Sequence, residues 1–213
     1  MPGNVRKIRK RLHELLGKDR PEAIIRKLSD VPLRLLINPV ISFFYSGDEK
    51  TRWNAIRLFG RLMAGIADED MESARVIMRR LMWSLNDESG GIDWGAPEAM
   101  AEAMANQEGL AEEYARILLS YIREDGNFLE HTPLRQGALW GIMRLSEVRP
   151  ALLNSIHASS HLKAYLTDKD PASRNYAEAA LSNLSKASSV LAGADALTDS
   201  EGPFAELVKH HKM

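Results

Sequence analysis

The sequence contains no cysteine. That excludes a disulfide framework, a thiol nucleophile and any cysteine-ligated zinc or iron–sulfur centre. Aromatic residues are sparse at 7%, and Leu, Ile, Ala and Met fill most apolar positions, a mixture that favours helix over strand. No apolar run approaches the ~18 residues that a membrane-spanning helix needs. An excess of either charge is missing too. Against 28 basic residues stand 29 acidic ones, and the net charge of −1 gives no general attraction to nucleic acid or acidic membranes. There is no glycine-rich phosphate loop, no G-x-S-x-G elbow and no H-E-x-x-H pair, so a conventional nucleotide-dependent or hydrolytic enzyme is not expected. The basic run from Arg6 to Arg11 leads only into the short L-H-E-L-L, which does not read as a secretory signal. A cytoplasmic location is the expectation.

What is present is helix. The chain of 213 residues is long enough for one domain or one short repeat array. Val5, Ile8, Leu12 and Leu15/Leu16 recur at three- and four-residue steps, the period of an amphipathic helix. The same period continues almost to the end, broken by Pro, Gly and acidic clusters, and no stretch of strict alternation argues for a strand. Charge is uneven along the chain. Residues 1–20 carry seven basic side chains (Arg6, Lys7, Arg9, Lys10, Arg11, Lys18, Arg20) against Glu14 and Asp19.

The helices repeat. T-R-W-N-A-I-R-L-F-G-R-L (51–62) aligns with L-R-Q-G-A-L-W-G-I-M-R-L (134–145) and with S-R-N-Y-A-E-A-A-L-S-N-L (173–184). Each has an Arg, an Ala three later, and apolar residues stepping along one face to a final Leu. The anchors are Arg52/Ala55, Arg135/Ala138 and Arg174/Ala177. A fourth copy, A-P-E-A-M-A-E-A-M, fits with Ala99 in the anchor position, although Ala103 is also possible. With Ala99 the anchors are 44, 39 and 39 residues apart, close to the ~40–47 of helix-pair repeats. Before each anchor comes a partner helix with an aromatic near its end and an acidic turn, as in F-F-Y-S-G-D-E (43–49) and M-W-S-L-N-D-E (82–88). A small Ala lets two helices approach closely while Leu and Ile fill the flanks.

The Arg-x-x-Ala-x-x-x-Leu pattern, the acidic turn and this period resemble HEAT-like repeat proteins over roughly residues 20–186. The stretch W-S-L-N-D-E-S-G-G-I-D-W-G-A-P-E-A (83–99) is also similar to a segment of a small uncharacterised HEAT-like family of anaerobic microbes, which supplies no catalytic residues to carry over. The resemblance implies an all-α fold: a short right-handed α-solenoid (α-α superhelix) of about four to five helix pairs. Residues 1–186 are expected to form this single domain, with 1–20 as a basic capping helix. Residues 187–213 read as a loosely attached tail, with a short helix at 204–209.

Two turns are longer than the others. From the aromatic ending the first helix to the anchor Ala is 11 residues in the first repeat (Phe44 to Ala55) and 12 in the last (Tyr165 to Ala177). In the central repeats it is 16 (Trp83 to Ala99) and 17 (Tyr121 to Ala138). Insertions at one position of a repeat map to one face of a solenoid, often the binding face. Loops 86–97 and 124–133 are therefore expected side by side, and the candidate interaction edge is Asp87, Glu88, Asp93, Trp94, Asn127, Glu130 and His131. Three readings stay open for these residues. Asp and Glu can satisfy helix N-termini, and Pro97 and Pro133 suit first helical positions. The loops can hold a partner. Carboxylates with one imidazole can also bind a divalent cation or act as an acid/base pair, although the spacing matches no calcium loop and no zinc-type His pair lies in either.

Trp83 and Trp140 fall on periodic apolar faces and are expected in the core. Trp53 is placed to pack between repeats, and Trp94 is either an interface anchor or a cover over the helix pair. His157 and His161 lie four apart on an expected helix without an evident third ligand. No catalytic, cofactor-binding or metal-binding residue is assigned, and no cofactor is expected. The expected function is a non-enzymatic protein-interaction scaffold or adaptor, its partner another protein or peptide, with nucleic acid and membrane not expected. The alternative comes from the HEAT-like resemblance, since some such proteins are alkylated-base DNA glycosylases that use Trp and Asp. Arg52, Arg135 and Arg174 would then contribute to a basic face.

Overall fold

A computed structural model describes residues 2–85 and 94–198, with side chains from residue 5 to residue 189. Among the described residues there is no strand, and the helices form an all-α solenoid. Helices α1 (Pro2–Leu16) and α2 (Pro21–Lys27) open the chain. Four pairs follow. Their first members are α3 (Leu33–Ile41), α5 (Met71–Leu85), α7 (Glu108–Ser120), and a broken element of α9 (Pro150–Ser155), α10 (Ala158–Leu162) and the 3-10 turn Lys163–Thr167. The second members are α4 (Glu49–Glu69), α6 (Ala96–Asn106), α8 (Thr132–Val148) and α11 (Pro171–Thr198).

The sequence sets the helix starts. Asp48 caps α4 by accepting from the Thr51 N–H at 2.8 Å and its hydroxyl at 2.5 Å. Asp70 accepts from the Glu72 N–H at 3.1 Å and from the Ser73 hydroxyl at 2.6 Å, and Asp170 from the Ser173 N–H at 2.7 Å. These bonds satisfy helix-terminal N–H groups that otherwise have no partner. They also hold all three carboxyls below the usual carboxylate range. Pro21, Pro150 and Pro171 open α2, α9 and α11, where a missing N–H is harmless.

The second helices stack directly on one another, α4 on α6, α6 on α8 and α8 on α11. The repeat's anchor alanines Ala55, Ala99, Ala138 and Ala177 are all fully buried in this inner row, and so is Ala103. The tightest approach is made by glycine. A methyl group at Gly60 of α4 would lie 2.7 Å from the Glu102 backbone of α6, and one at Gly137 of α8 would lie 2.5 Å from the Glu98 carboxylate. Residues 96–104 of α6 are consequently all buried. The ends are tied in by polar bonds. Asn54 donates to the Leu16 carbonyl at the end of α1 at 2.8 Å, and the Tyr165 hydroxyl donates to the Ile122 carbonyl at 2.7 Å.

The structure departs from expectation in several places. Trp140 is half-buried rather than in the core. Trp83 is 81% exposed rather than in the core. The buried stripe of α5 is Ala74, Met78, Leu81 and Leu85, and Trp83, two residues past Leu81, points about 200° away from it. Helix α11 runs to Thr198, past the boundary expected at residue 186, because A-S-S-V-L-A-G-A-D-A-L contains more strong helix formers than breakers. His157 is not helical: it sits left-handed at φ 58° before α10. The short helix expected at 204–209 lies outside the described residues.

Gly60→Ala is expected to destabilise the protein by about 1–3 kcal/mol through overpacking against backbone, despite the ~1 kcal/mol helix-propensity gain. Gly65→Ala would meet only the tip of the Leu33 side chain and is expected to be near neutral. Urea unfolding of the two variants measures the difference.

Candidate functional site: the inner-row groove

Trp53 sits in the second turn of α4 and Trp140 in the middle of α8, and both are half-buried. Their ring centroids are 4.7 Å apart with planes at 44°, although α6 lies between the two helices. Side chains two repeats apart meet only where the inner row is concave, so the pair marks the floor of a groove. The Arg52 guanidinium lies 5.1 Å from the Trp53 ring centroid and that of Arg57 lies 6.0 Å away, within the range of cation–π attraction. Among the described residues neither has a carboxylate within 4 Å, nor has Arg20 at the groove's end, whereas Arg61 is neutralised by Glu22 at 3.1 Å and Arg144 by Glu102 at 3.1 Å and Glu147 at 3.0 Å. Alongside, Arg20, Asn54, Met143 and Glu147 complete a recess of about 610 Å³.

Beneath the groove, α6 carries two buried carboxylates one turn apart, Glu98 and Glu102, 7% and 5% exposed. They are treated differently. Glu102 accepts from Arg144 and from the Asn106 side chain. Glu98 has no ion pair among the described residues. Burial pushes its carboxyl above the usual range, opposed only by its own N–H and the more distant charge of Arg52. Tyr176 of α11 is raised as well, by burial first and by Glu98 second.

The repeat's arginines turn out to be turn clamps rather than a basic face. Arg135 donates to the carbonyls of Leu129 and Glu130 at 2.8 and 3.0 Å, and Arg174 donates to those of Asp168 and Lys169 at 2.6 and 3.1 Å. Arg52, resting on Trp53, breaks that pattern and is left for the groove.

At the candidate loop edge, Asp87, Glu88 and Asp93 lie outside the described residues. The remaining candidates are split. Trp94, 37% exposed, meets His131 edge-on at 4.9 Å between ring centroids, which brings the two long loops together. The turn that presents it depends on Gly95, at φ 87°, where a side chain would be strained and would also crowd Phe44. Asn127 is exposed and donates to the Ser120 hydroxyl at 3.0 Å. Glu130 is exposed and contributes its backbone carbonyl to Arg135. Among the described residues no group of three His, Asp or Glu side chains is arranged to hold a metal ion, and no helix is long and apolar enough to cross a membrane.

The Trp53–Trp140 pair was within reach of the sequence. Trp53 stands two residues before its anchor Ala and Trp140 two after, and that four-residue offset puts both on one face of the aligned helices. Treating each tryptophan separately hid it.

No family model matches the chain. An uncharacterized protein of Archaeoglobus fulgidus is 34% identical over 122 residues, a match that covers 55% of this chain and 58% of the relative, so the chain spans little more than half of that protein. Among solved structures, two engineered proteins align at TM-scores of 0.46 and 0.47 with 13% and 14% identity, covering 72% and 84% of this chain and 39% and 79% of theirs. A designed armadillo repeat protein aligns at 0.43 with 15% identity, over 84% of this chain and 92% of its own. The solenoid description rests on the helix pairing itself.

The two buried acids give opposite expectations. A carboxyl whose folded pKa is raised adds stability below its unfolded pKa and loses it as pH rises through the folded value. Glu98→Gln is therefore expected to raise Tm at pH 7, with the gap to wild type closing by pH 4. Arg144→Met strands Glu102 and is expected to cost about 3 kcal/mol, at the low end for a buried pair because Arg144 is partly exposed. Thermal unfolding across pH reads both.

Proposed function

We propose that this chain is a non-enzymatic scaffold that holds a segment of another protein in the inner-row groove. The observation that carries the reading is the Trp53–Trp140 pair, half-exposed on a concave surface with Arg52 and Arg57 unpaired beside it. Tryptophan and arginine are the residues most enriched among interface hot spots. Guanidinium groups held against a ring keep their planar donor fork available for a carboxylate or a backbone carbonyl. The groove's cations are interleaved with the carboxylates of Glu22, Glu102 and Glu147, which suits a peptide of mixed character better than a continuous phosphate backbone, whose charge those acids oppose. The Trp94–His131 edge is, in this reading, a secondary contact reached by a longer partner.

Selection of a random peptide display library against the full chain tests the reading. Selected peptides are expected to lose at least tenfold in affinity for Trp53→Ala/Trp140→Ala, whose helicity by circular dichroism stays at wild-type level. Peptides that bind this double variant as well as wild type would refute the groove. Tight binding of abasic or methylated duplex DNA, weakened by the same substitutions and falling steeply with salt, would favour the nucleic-acid reading instead.

A further inference from the structure

The charge of the chain is strongly polarised. Residues 1–20 hold seven basic and two acidic side chains, which leaves 21 basic against 27 acidic over residues 21–213. In the structure Arg6, Lys7, Arg9 and Lys10 all project from the exposed side of α1. Arg11 beside them is neutralised by Asp30 at 3.0 Å, whereas these four have no carboxylate within 4 Å among the described residues. Together with His13 and Phe43 they line a recess of about 630 Å³ at the end of the solenoid. Its base is aromatic: the Arg9 guanidinium lies 5.9 Å from the Phe43 ring centroid and the His13 ring lies 5.8 Å from it. Val5, 53% exposed, sits one turn before Arg9.

We propose that this face of α1 is a docking site for a short acidic segment of a partner protein, its carboxylates paired with Arg6, Lys7, Arg9 and Lys10. The site is separate from the groove and does not depend on it. Three observations choose this occupant among polyanions. First, the apolar side of α1 is already spent, since Ile8, Leu12 and Leu16 are 6%, 0% and 0% exposed in the core. The helix therefore has no apolar face to insert into a bilayer, as interfacial helices do. Second, the cationic stripe from Arg6 to His13 is only about 10 Å long, enough for a few side chains. Third, a polyanion continuing past that stripe meets a body with an acidic excess, which disfavours a nucleic-acid duplex and leaves a short acidic segment unopposed.

The test uses the full chain and fluorescence anisotropy with a labelled twelve-residue peptide carrying four Glu around one Phe. Its counterpart has Gln at those four positions, and a 20-base-pair duplex and phosphatidylserine/phosphatidylcholine vesicles are the other probes. At low salt the Glu peptide is expected to bind at least tenfold tighter than the Gln peptide. Lys7→Glu/Lys10→Glu should abolish that preference while leaving Tm near wild type, because both side chains are exposed and neither has an ion pair among the described residues. Trp53→Ala/Trp140→Ala should leave it within twofold, which separates failure of this site from failure of the groove. Equal affinity for the two peptides, indifference to charge reversal, loss in the tryptophan variant, or tighter binding to duplex or vesicles would each overturn the proposal.

Discussion

Helix α6 is eleven residues long and is pressed between two neighbours that have removed their side chains to admit it. Gly60 on α4 and Gly137 on α8 face its backbone and its Glu98 carboxylate at distances no methyl group tolerates. Much else follows from that contact. With the middle inner helix sunk between the flanking ones, longer side chains of α4 and α8 reach across it, and Trp53 touches Trp140. The same burial takes Glu98 and Glu102 out of solvent and gives each a different electrostatic fate. Close packing by small residues is a familiar way to bring helices together. Here it also shapes a surface where, among the described residues, arginines without an ion pair and half-exposed tryptophans coincide.

The two ends and the groove then divide the molecule by chemistry. The inner row offers an aromatic floor where cations and carboxylates alternate, while α1 offers a compact block of cations that have no ion pair among the described residues, Arg9 lying over Phe43. The groove and the α1 face share no lining residue, so a change at one of these surfaces need not disturb the other. Polar ties at both ends, Asn54 to α1 and Tyr165 to the end of α7, keep the terminal elements in register with the stack.

Much of the architecture was legible in the sequence because it depends on spacing. The Arg-x-x-Ala repeat located three of the inner helices and a fourth copy without the Arg located α6, and Ala55, Ala99, Ala103, Ala138 and Ala177 are all buried. What spacing does not reveal is which side of an amphipathic helix has a neighbour. Trp83 shares the apolar rhythm of α5 but falls opposite its buried stripe. The repeat's arginines were legible as anchors yet not as clamps on turn carbonyls, since that role depends on how the preceding loop folds back. Of the candidate edge, equal insertions in adjacent repeats pointed to neighbouring loops, and the Trp94–His131 contact joins them. The hydrogen bond from Asn127 to Ser120 had no sequence signature.

The central claim is that α6 is the most deeply held element of the stack. Native-state amide hydrogen exchange followed residue by residue tests it most directly, because local openings report the free energy holding each segment. Amides of Met100 to Met104 should exchange only through global unfolding, more slowly than those of α5 or α9. Exchange of α6 amides at or above the rates of those helices would contradict the account.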